Sequence, residues 1–358
     1  MTKICFLADG TSIHTVRWCK YFIDKGHEVH LLTLQKAEIE GVFIHYINCG
    51  EINRSGGNWK ILTKFWKVRK LIKQINPEIV HSFYATSYGI LGALSGFHPF
   101  VVTALGSDVL ISPLNSKPYR LLLKYVFSKA QWITAMSDPM KKTMINLGAK
   151  TENINTLIFG IDTSIFNNSH RQTPNDQFVV TSTRNFEKIY NIDILLDAIG
   201  ICQSQIPNLH VNLIGSGRLG LMLKEKIEAL GLSEIVHFIG KLTQPEIADY
   251  LNTSQLFVSV SSSDGNNISL NEAMACGCVS VVSDIPANRQ WIIEGENGFY
   301  CTEITPEAIA RAIIKASSEY NNIAEKSAAL NKDIIAEHAD WNINMQKVER
   351  KYNQLIQK

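Results

Sequence analysis

The sequence predicts an α/β protein of two doubly wound, Rossmann-like domains, each a parallel sheet covered by helices on both faces. Three observations predict it. At 358 residues the chain is too long for one ordinary core and suits two. Short β-branched runs alternate with longer amphipathic segments through nearly the whole length. Those runs are apolar almost without interruption, as strands buried on both faces are.

In the first half the strands read "KICFLA", "EVHLLT", "VFIHYI", "EIVHS", "FVVTA" and "WITAM". In the second they read "FVVTST", "HVNLIG", "EIVHFIG", "LFVSVS" and "VSVVSD", with helical segments such as 191–205 and 218–231 between them. The polar stretch "TSIFNNSHRQTPNDQ" (163–177) reads as a linker. The domains are therefore expected at 1–165 and 170–339, with a C-terminal helix over 340–358 packing back on the first. Ligands of such sheets bind at the C-terminal ends of strands, so the cleft between the two domains is the expected site.

The net charge of +2 hides an asymmetry. Residues 1–170 carry 19 Lys and Arg against 11 Asp and Glu (+8), and the remainder 16 against 22 (−6). A basic N-terminal half suggests an anionic partner, a membrane surface or a phosphorylated substrate; no nucleic-acid partner is expected. The seven cysteines form no CxxC pair and no zinc-type spacing, so they read as small apolar core residues in a reducing cytosol. A strand beginning at Lys3 leaves no room for a signal peptide, and the longest apolar stretch is broken by Ser, His and Pro. The expected location is cytoplasmic, soluble or peripheral at the inner face of the membrane.

"LIGSGRLG" (213–220) spells G-x-G-x-x-G at the end of a strand, the pattern of a dinucleotide-binding loop. That loop should open its domain, whereas here a strand and a helix precede it. It should also be followed about 20 residues on by an acid at the next strand end, where this chain has Gly240, Lys241 and Leu242. The hydride-transfer reading fails, and a tight strand-to-helix turn remains.

The stronger signal is "SSSDGNNISLNEAMACGCVSVVSDIPANRQWI" (261–292). Asp264 lies in a loop and Glu272 two turns into a helix, so both can border one ligand at different heights. Gly265 permits close approach of the chain, and free N–H groups around Asn267, Ile268 and Ser269 would form an anion-binding helix N-terminus. Asn266 completes the turn. The bland alternative is that Asp264 simply caps the helix.

With these residues in view, the chain resembles the GT-B retaining glycosyltransferases of family four, which move a sugar from a nucleotide-sugar. The resemblance runs through "SIHTVRWCKYFIDKGHEVHLLT", "VVTALGSDV", "TLIFGIDTSIF", "LIGSGRLG", "VHFIGKL", the acid-x7-Glu pattern with "EAMACG", and "ENGFY". It implies that Glu272 holds the ribose hydroxyls, Asp264 the donor-sugar hydroxyls and Arg184 the diphosphate. Most members have Glu where this chain has Asp264. The family's second cation falls six residues after the arginine, at Tyr190 here, so Lys188 is the nearest replacement. Gly217 and Arg218 would face the nucleotide, and Lys241 and Leu242 would read the base through backbone groups. In the first domain, Gly10 to His14 would face the diphosphate and acceptor, with His14 a candidate general base because Leu105 stands where the family often has His.

The resemblance implies front-face attack, in which the departing diphosphate takes the acceptor's proton. No acidic pair has metal-binding spacing, so neither a metal nor another cofactor is expected. A UDP-sugar is favoured over a GDP-sugar as donor. The acceptor would be a hydroxyl of a glycan or lipid-linked molecule, as in cell-surface polysaccharide synthesis.

Residues 54–73 add Arg54, Lys60, Lys64, Lys67, Arg69, Lys70 and Lys73, without an acid, to Trp59, Phe65 and Trp66. They read either as a membrane-surface helix or as a solvated helix whose Ile61, Leu62, Phe65, Val68 and Ile72 face the sheet. Two other functions stay open at this point: a nucleotide-sugar epimerase on the same fold, and a non-catalytic nucleotide-sugar binder.

Overall fold

The apolar runs become buried parallel strands in the computed structural model, which describes residues 1–50, 59–113 and 116–357. The chain divides into two units, Met1–Phe159 with Ile343–Lys358, and Gly160–Asn342.

The first unit holds β1 (Lys3–Leu7), β2 (Glu28–Thr33), β3 (Phe43–Tyr46), β4 (Ile79–Phe83), β5 (Phe100–Thr103), β6 (Trp132–Ala135) and β7 (Ile154–Thr156). Their order across the sheet is β3-β2-β1-β4-β5-β6-β7, all parallel. The second unit holds β8 (Phe178–Ser182), β9 (Leu209–Ile214), β10 (Val236–Gly240), β11 (Leu256–Ser259), β12 (Val279–Ser283) and β13 (Gly298–Cys301). Its order is β10-β9-β8-β11-β12-β13, again all parallel. In both sheets the winding reverses beside the first strand, at β1/β4 and at β8/β11. Such a switch point leaves a crevice at the carboxyl ends of the two strands.

Helices follow the 3.6-residue period. Phe65–Ile75 buries Val68, Ile72 and Ile75 and leaves Lys67, Lys70 and Lys73 outward. Its apolar stripe faces the protein, and Arg54 lies outside the described residues. All seven cysteines are free and buried, and burial pushes the Cys5 thiol far up.

Residues 163–177 are not a free linker. Arg171 donates from Nη1 to the carbonyls of Cys276 (2.9 Å) and Leu251 (3.2 Å), and from Nη2 to that of Ser254 (2.6 Å). A guanidinium suits such a site, since it presents several donors in one rigid plane and completes the carbonyl-rich ends of two helices. The side chain of Gln255 ties down the carbonyls of Pro174 (3.0 Å) and Gln177 (3.1 Å). This polar segment is therefore part of the second unit.

The C-terminal helix Trp341–Ile356 reaches the first sheet through Tyr352, which stacks on Phe22 at 5.3 Å and hydrogen-bonds His81 Nδ1. His81 is fully buried, and its Nε2 meets Thr103 Oγ1 at 2.7 Å. Burial pushes its pKa from 6.5 down to about 3. Between those values the unfolded chain binds a proton that the folded chain does not. The stabilisation is therefore whole above about pH 6.5 and lost as pH falls towards 3, at up to about 1.4 kcal/mol per pH unit for one proton. We expect urea midpoints to drop from pH 7 to pH 4, and to drop less in His81→Gln; equal losses would rule out this assignment.

Candidate functional site

The site of the second unit forms where β8 and β11 end. Arg184, two residues beyond β8, is only 7% exposed. A buried cation must be matched by the protein, and three groups match it. Nη2 meets Asp264 Oδ2 at 2.6 Å. Nη1 donates to Asn267 Oδ1 at 2.9 Å. The Tyr190 ring lies 4.2 Å from the guanidinium carbon, a cation–π contact. The position where a second cation was sought thus holds an aromatic face covering the first. Lys188 opens the 3₁₀ turn Lys188–Tyr190 and is exposed.

Asp264 does not cap the following helix. Asn267 does, accepting from Leu270 N–H at 3.1 Å ahead of Ile268–Ala275. The Ile268 N–H donates to the Asn266 carbonyl at 3.0 Å. The expectation of free N–H groups here therefore needs correction at Ile268, whose N–H is taken by a backbone carbonyl, while the Asn267 side chain takes that of Leu270. Asn266 is likewise structural, its Oδ1 accepting from Trp291 Nε1 (2.8 Å) and Gln290 Nε2 (3.2 Å). Gly265 is buried, and Glu272 is half-buried on the helix. Arg184 Nε and the hydroxyls of Ser182, Thr183 and Ser261 are buried with no hydrogen-bond partner among the described residues. This corner therefore joins a cation, a carboxylate and hydrogen-bonding capacity that the fold does not consume, which suits a polar, anionic ligand.

The glycine loop has a different use from the one its pattern suggests. A Cβ on Gly215 would stand 2.4 Å from the Arg184 carbonyl oxygen, with φ +151°. One on Gly217 would stand 2.4 Å from the Phe186 carbonyl oxygen. Phe186 N–H donates to the Ser216 carbonyl, and Leu219 N–H to that of Phe186, both at 3.0 Å. The glycines let two strand-end loops lie backbone against backbone, and one of those loops carries Arg184. Arg218, 79% exposed on its side chain, pairs with Glu187 at 2.8 Å. The loop also reaches the end of β10, where Gly215 N–H meets the Gly240 carbonyl at 2.8 Å, next to exposed Lys241 and half-buried Leu242.

In the first unit, Gly10 is needed for packing: its Cβ would lie 2.5 Å from Ala37 Cβ, and its N–H donates to Thr33 Oγ1 at 3.1 Å. His14 packs on Phe159 at 5.1 Å. Burial and then the Arg17 charge push its pKa down to about 4, so it is neutral at pH 7 and a weak base. Asp108 is fully buried and accepts from the backbone N–H groups of Ala85 (2.7 Å), Gly106 (2.8 Å) and Leu105 (3.1 Å). It ties the loop after β4 to the loop after β5. Tyr84, in the first of these, has φ +72°, and its hydroxyl meets Ser107 Oγ at 2.9 Å. A bulky residue held there is strained by about 1–3 kcal/mol, a feature of the β1/β4 switch point that local sequence does not reveal. Among the described residues, no group of three or more His, Cys, Asp or Glu could hold a metal ion.

Comparison with known proteins agrees with this geometry. Residues 3–137 match the model of glycosyl transferase 4-like domains, and residues 165–334 match that of glycosyl transferases group 1. Together the two models take in most of both units, and the chain is a glycosyltransferase whose second half is of the group 1 type. It is 24% identical to an uncharacterized glycosyltransferase of Methanocaldococcus jannaschii, over 97% of this chain and 95% of that one. It is 22% identical to the N-acetyl-alpha-D-glucosaminyl L-malate synthase of Bacillus anthracis, covering 89% and 88%. The crystal structure of Anabaena HepE with UDP and glucose superposes with a TM-score of 0.80 at 18% identity, covering 99% of this chain and all of that one. The two-sheet GT-B architecture is shared. A glycosyltransferase family enzyme therefore replaces the epimerase and the non-catalytic binder as readings of the chain.

The clasp around Arg184 yields a direct expectation. Gly217→Ala should displace the 184–186 loop, cost about 1–3 kcal/mol of stability and weaken nucleotide binding. Gly220→Ala, whose Cβ would meet nothing nearer than 3.9 Å, should do neither. Chemical denaturation with nucleotide titration checks both.

Proposed function

We propose that this glycosyltransferase takes a sugar from a UDP-sugar and passes it, with retention at the anomeric carbon, to a hydroxyl of a glycan or lipid-linked acceptor. Cell-surface polysaccharide or glycoconjugate synthesis is the setting we infer. The observation that carries the reading is the buried Arg184, gripped by Asp264 and Asn267 at the β8/β11 switch point. A fixed guanidinium there suits a diphosphate leaving group. The structural neighbour HepE, seen with UDP and glucose, supports UDP as the nucleotide.

In this reading Glu272 holds the ribose hydroxyls and Asp264 those of the donor sugar. Gly217, Lys241 and Leu242 border the nucleotide. The bond between the anomeric carbon and the diphosphate oxygen breaks as the acceptor oxygen attacks from the same face, and the acceptor's proton passes to the departing phosphate oxygen. His14, with its pKa near 4, is a poor competitor for that proton. Arg184 stabilises the charge that grows on the leaving group, the interaction that accelerates the step. No metal has a role in this scheme.

Incubation with a panel of UDP- and GDP-sugars should give slow donor hydrolysis with UDP-sugars, unchanged by EDTA. Asp264→Asn and Glu272→Gln should each cut turnover on the order of 10²-fold. Wild-type rates in both would overturn the site, and an inverted product would overturn the mechanism.

No helix among the described residues is long and apolar enough to cross a membrane. Trp66 is 67% exposed beside Lys67, Lys70 and Lys73, an arrangement that suits the surface of an anionic bilayer. We expect flotation with anionic vesicles at low salt, reduced by Trp66→Ser and lost at high salt; absence of binding at low salt would remove the membrane from the proposal.

A further inference from the structure

Arg184 is held on one side by a neutral amide, and the reason that amide faces it lies further back in the fold. Asn267 Oδ1 accepts from two groups that can only donate, Leu270 N–H (3.1 Å) and Arg184 Nη1 (2.9 Å). Its Nδ2 must then donate, and does so to Ser259 Oγ and Asn288 Oδ1, both at 3.1 Å. Asn288 in turn directs its Nδ2 at the carbonyl of Ser283, a group that can only accept, at 2.8 Å. The chain thus runs from a backbone donor to a backbone acceptor through two fully buried amides. Flipping either amide sets donor against donor or acceptor against acceptor. In a buried network that mismatch is costly.

We propose that Asn288 is a positioning residue for the transfer reaction, acting through Asn267 to hold Arg184 where it meets the diphosphate. Asn288 lies in Pro286–Arg289, beyond β12, and touches neither Arg184 nor Asp264 in any hydrogen bond seen. Its influence is one of orientation. The Ser283 hydroxyl, also bonded to the Ser261 carbonyl at 2.6 Å, extends the same network towards the loop of Asp264. The inference rests on the reading of Arg184 as the diphosphate cation.

UDP titration of the full chain tests it. Arg184→Met should weaken UDP binding. Asn288→Ala should weaken it about tenfold in the wild-type background and not further in Arg184→Met, the non-additivity expected within one network. Asn288→Asp supplies a second, independent readout. A protonated carboxyl can donate to Ser283 and accept from Asn267, as the amide does; a carboxylate cannot donate. The ratio of variant to wild-type UDP affinity should therefore fall as pH rises. The charged groups nearby are Arg184 and Asp264 beyond Asn267, and the Asp284–Arg289 pair at 2.5 Å on the same segment. The Arg289 guanidinium holds the Asp284 carboxyl down, so it stays ionised, and its effect cancels in the ratio. Unchanged UDP affinity in Arg184→Met would overturn the donor-site reading itself. A weakened Arg184→Met together with a flat Asn288→Asp ratio would overturn the relay alone.

Discussion

A guanidinium taken almost wholly out of water is the constraint from which the rest of the second unit can be derived. Desolvating a cation costs several kcal/mol unless its donors are matched. The fold matches Arg184 with a carboxylate and an amide oxygen from the loop after β11 and an aromatic face from the turn Lys188–Tyr190. Those segments must then be held in register. The glycine loop does this from the β9 side, by allowing backbone to lie on backbone at Gly215 and Gly217. The Asn267–Asn288 chain does it from the β12 side, by fixing which way an amide points. Arg171 supports the same arrangement from below, joining the ends of the helices at Leu251 and Cys276.

The first unit solves a matching problem of its own with an acid. Asp108 is fully buried, and backbone N–H groups from two loops surround its carboxylate. Burial raises its pKa while those hydrogen bonds oppose the rise. The two loops leave the adjacent strands β4 and β5, and the strained Tyr84 sits in the first of them, at the switch point. In each unit, then, one buried ionisable group collects the loops that a doubly wound sheet brings to its carboxyl edge.

Comparing pattern with geometry shows which signals travelled and which did not. The order of apolar runs was enough to read two parallel sheets, because a strand covered on both faces has no polar side to confuse the signal. "LIGSGRLG" could be removed from the dinucleotide-binding class by its place in the chain. Its actual use, a clasp on the Arg184 loop, depends on the carbonyls of Arg184 and Phe186, each 31 residues before the glycine it meets. The acid-x7-Glu pattern drew attention to Asp264 and Glu272, and the structure brings Asp264 to Arg184. The same pattern misled about the helix N-terminus at Ile268, whose N–H the Asn266 carbonyl takes up. Tyr190 looked like the loss of a cation and is a ring stacked on another cation.

What the sequence determined by itself was the architecture and the family, since periodicity and chain order are properties of local stretches and the family's motifs are contiguous. Tertiary structure decided which polar groups are matched and by whom. Arg184 and Asp264 are eighty residues apart, and Asn288 reaches Arg184 through Asn267. Hydrogen-bond direction propagates between such groups through space, along contacts that exist only once the sheets have formed. No window of sequence contains both ends of that chain.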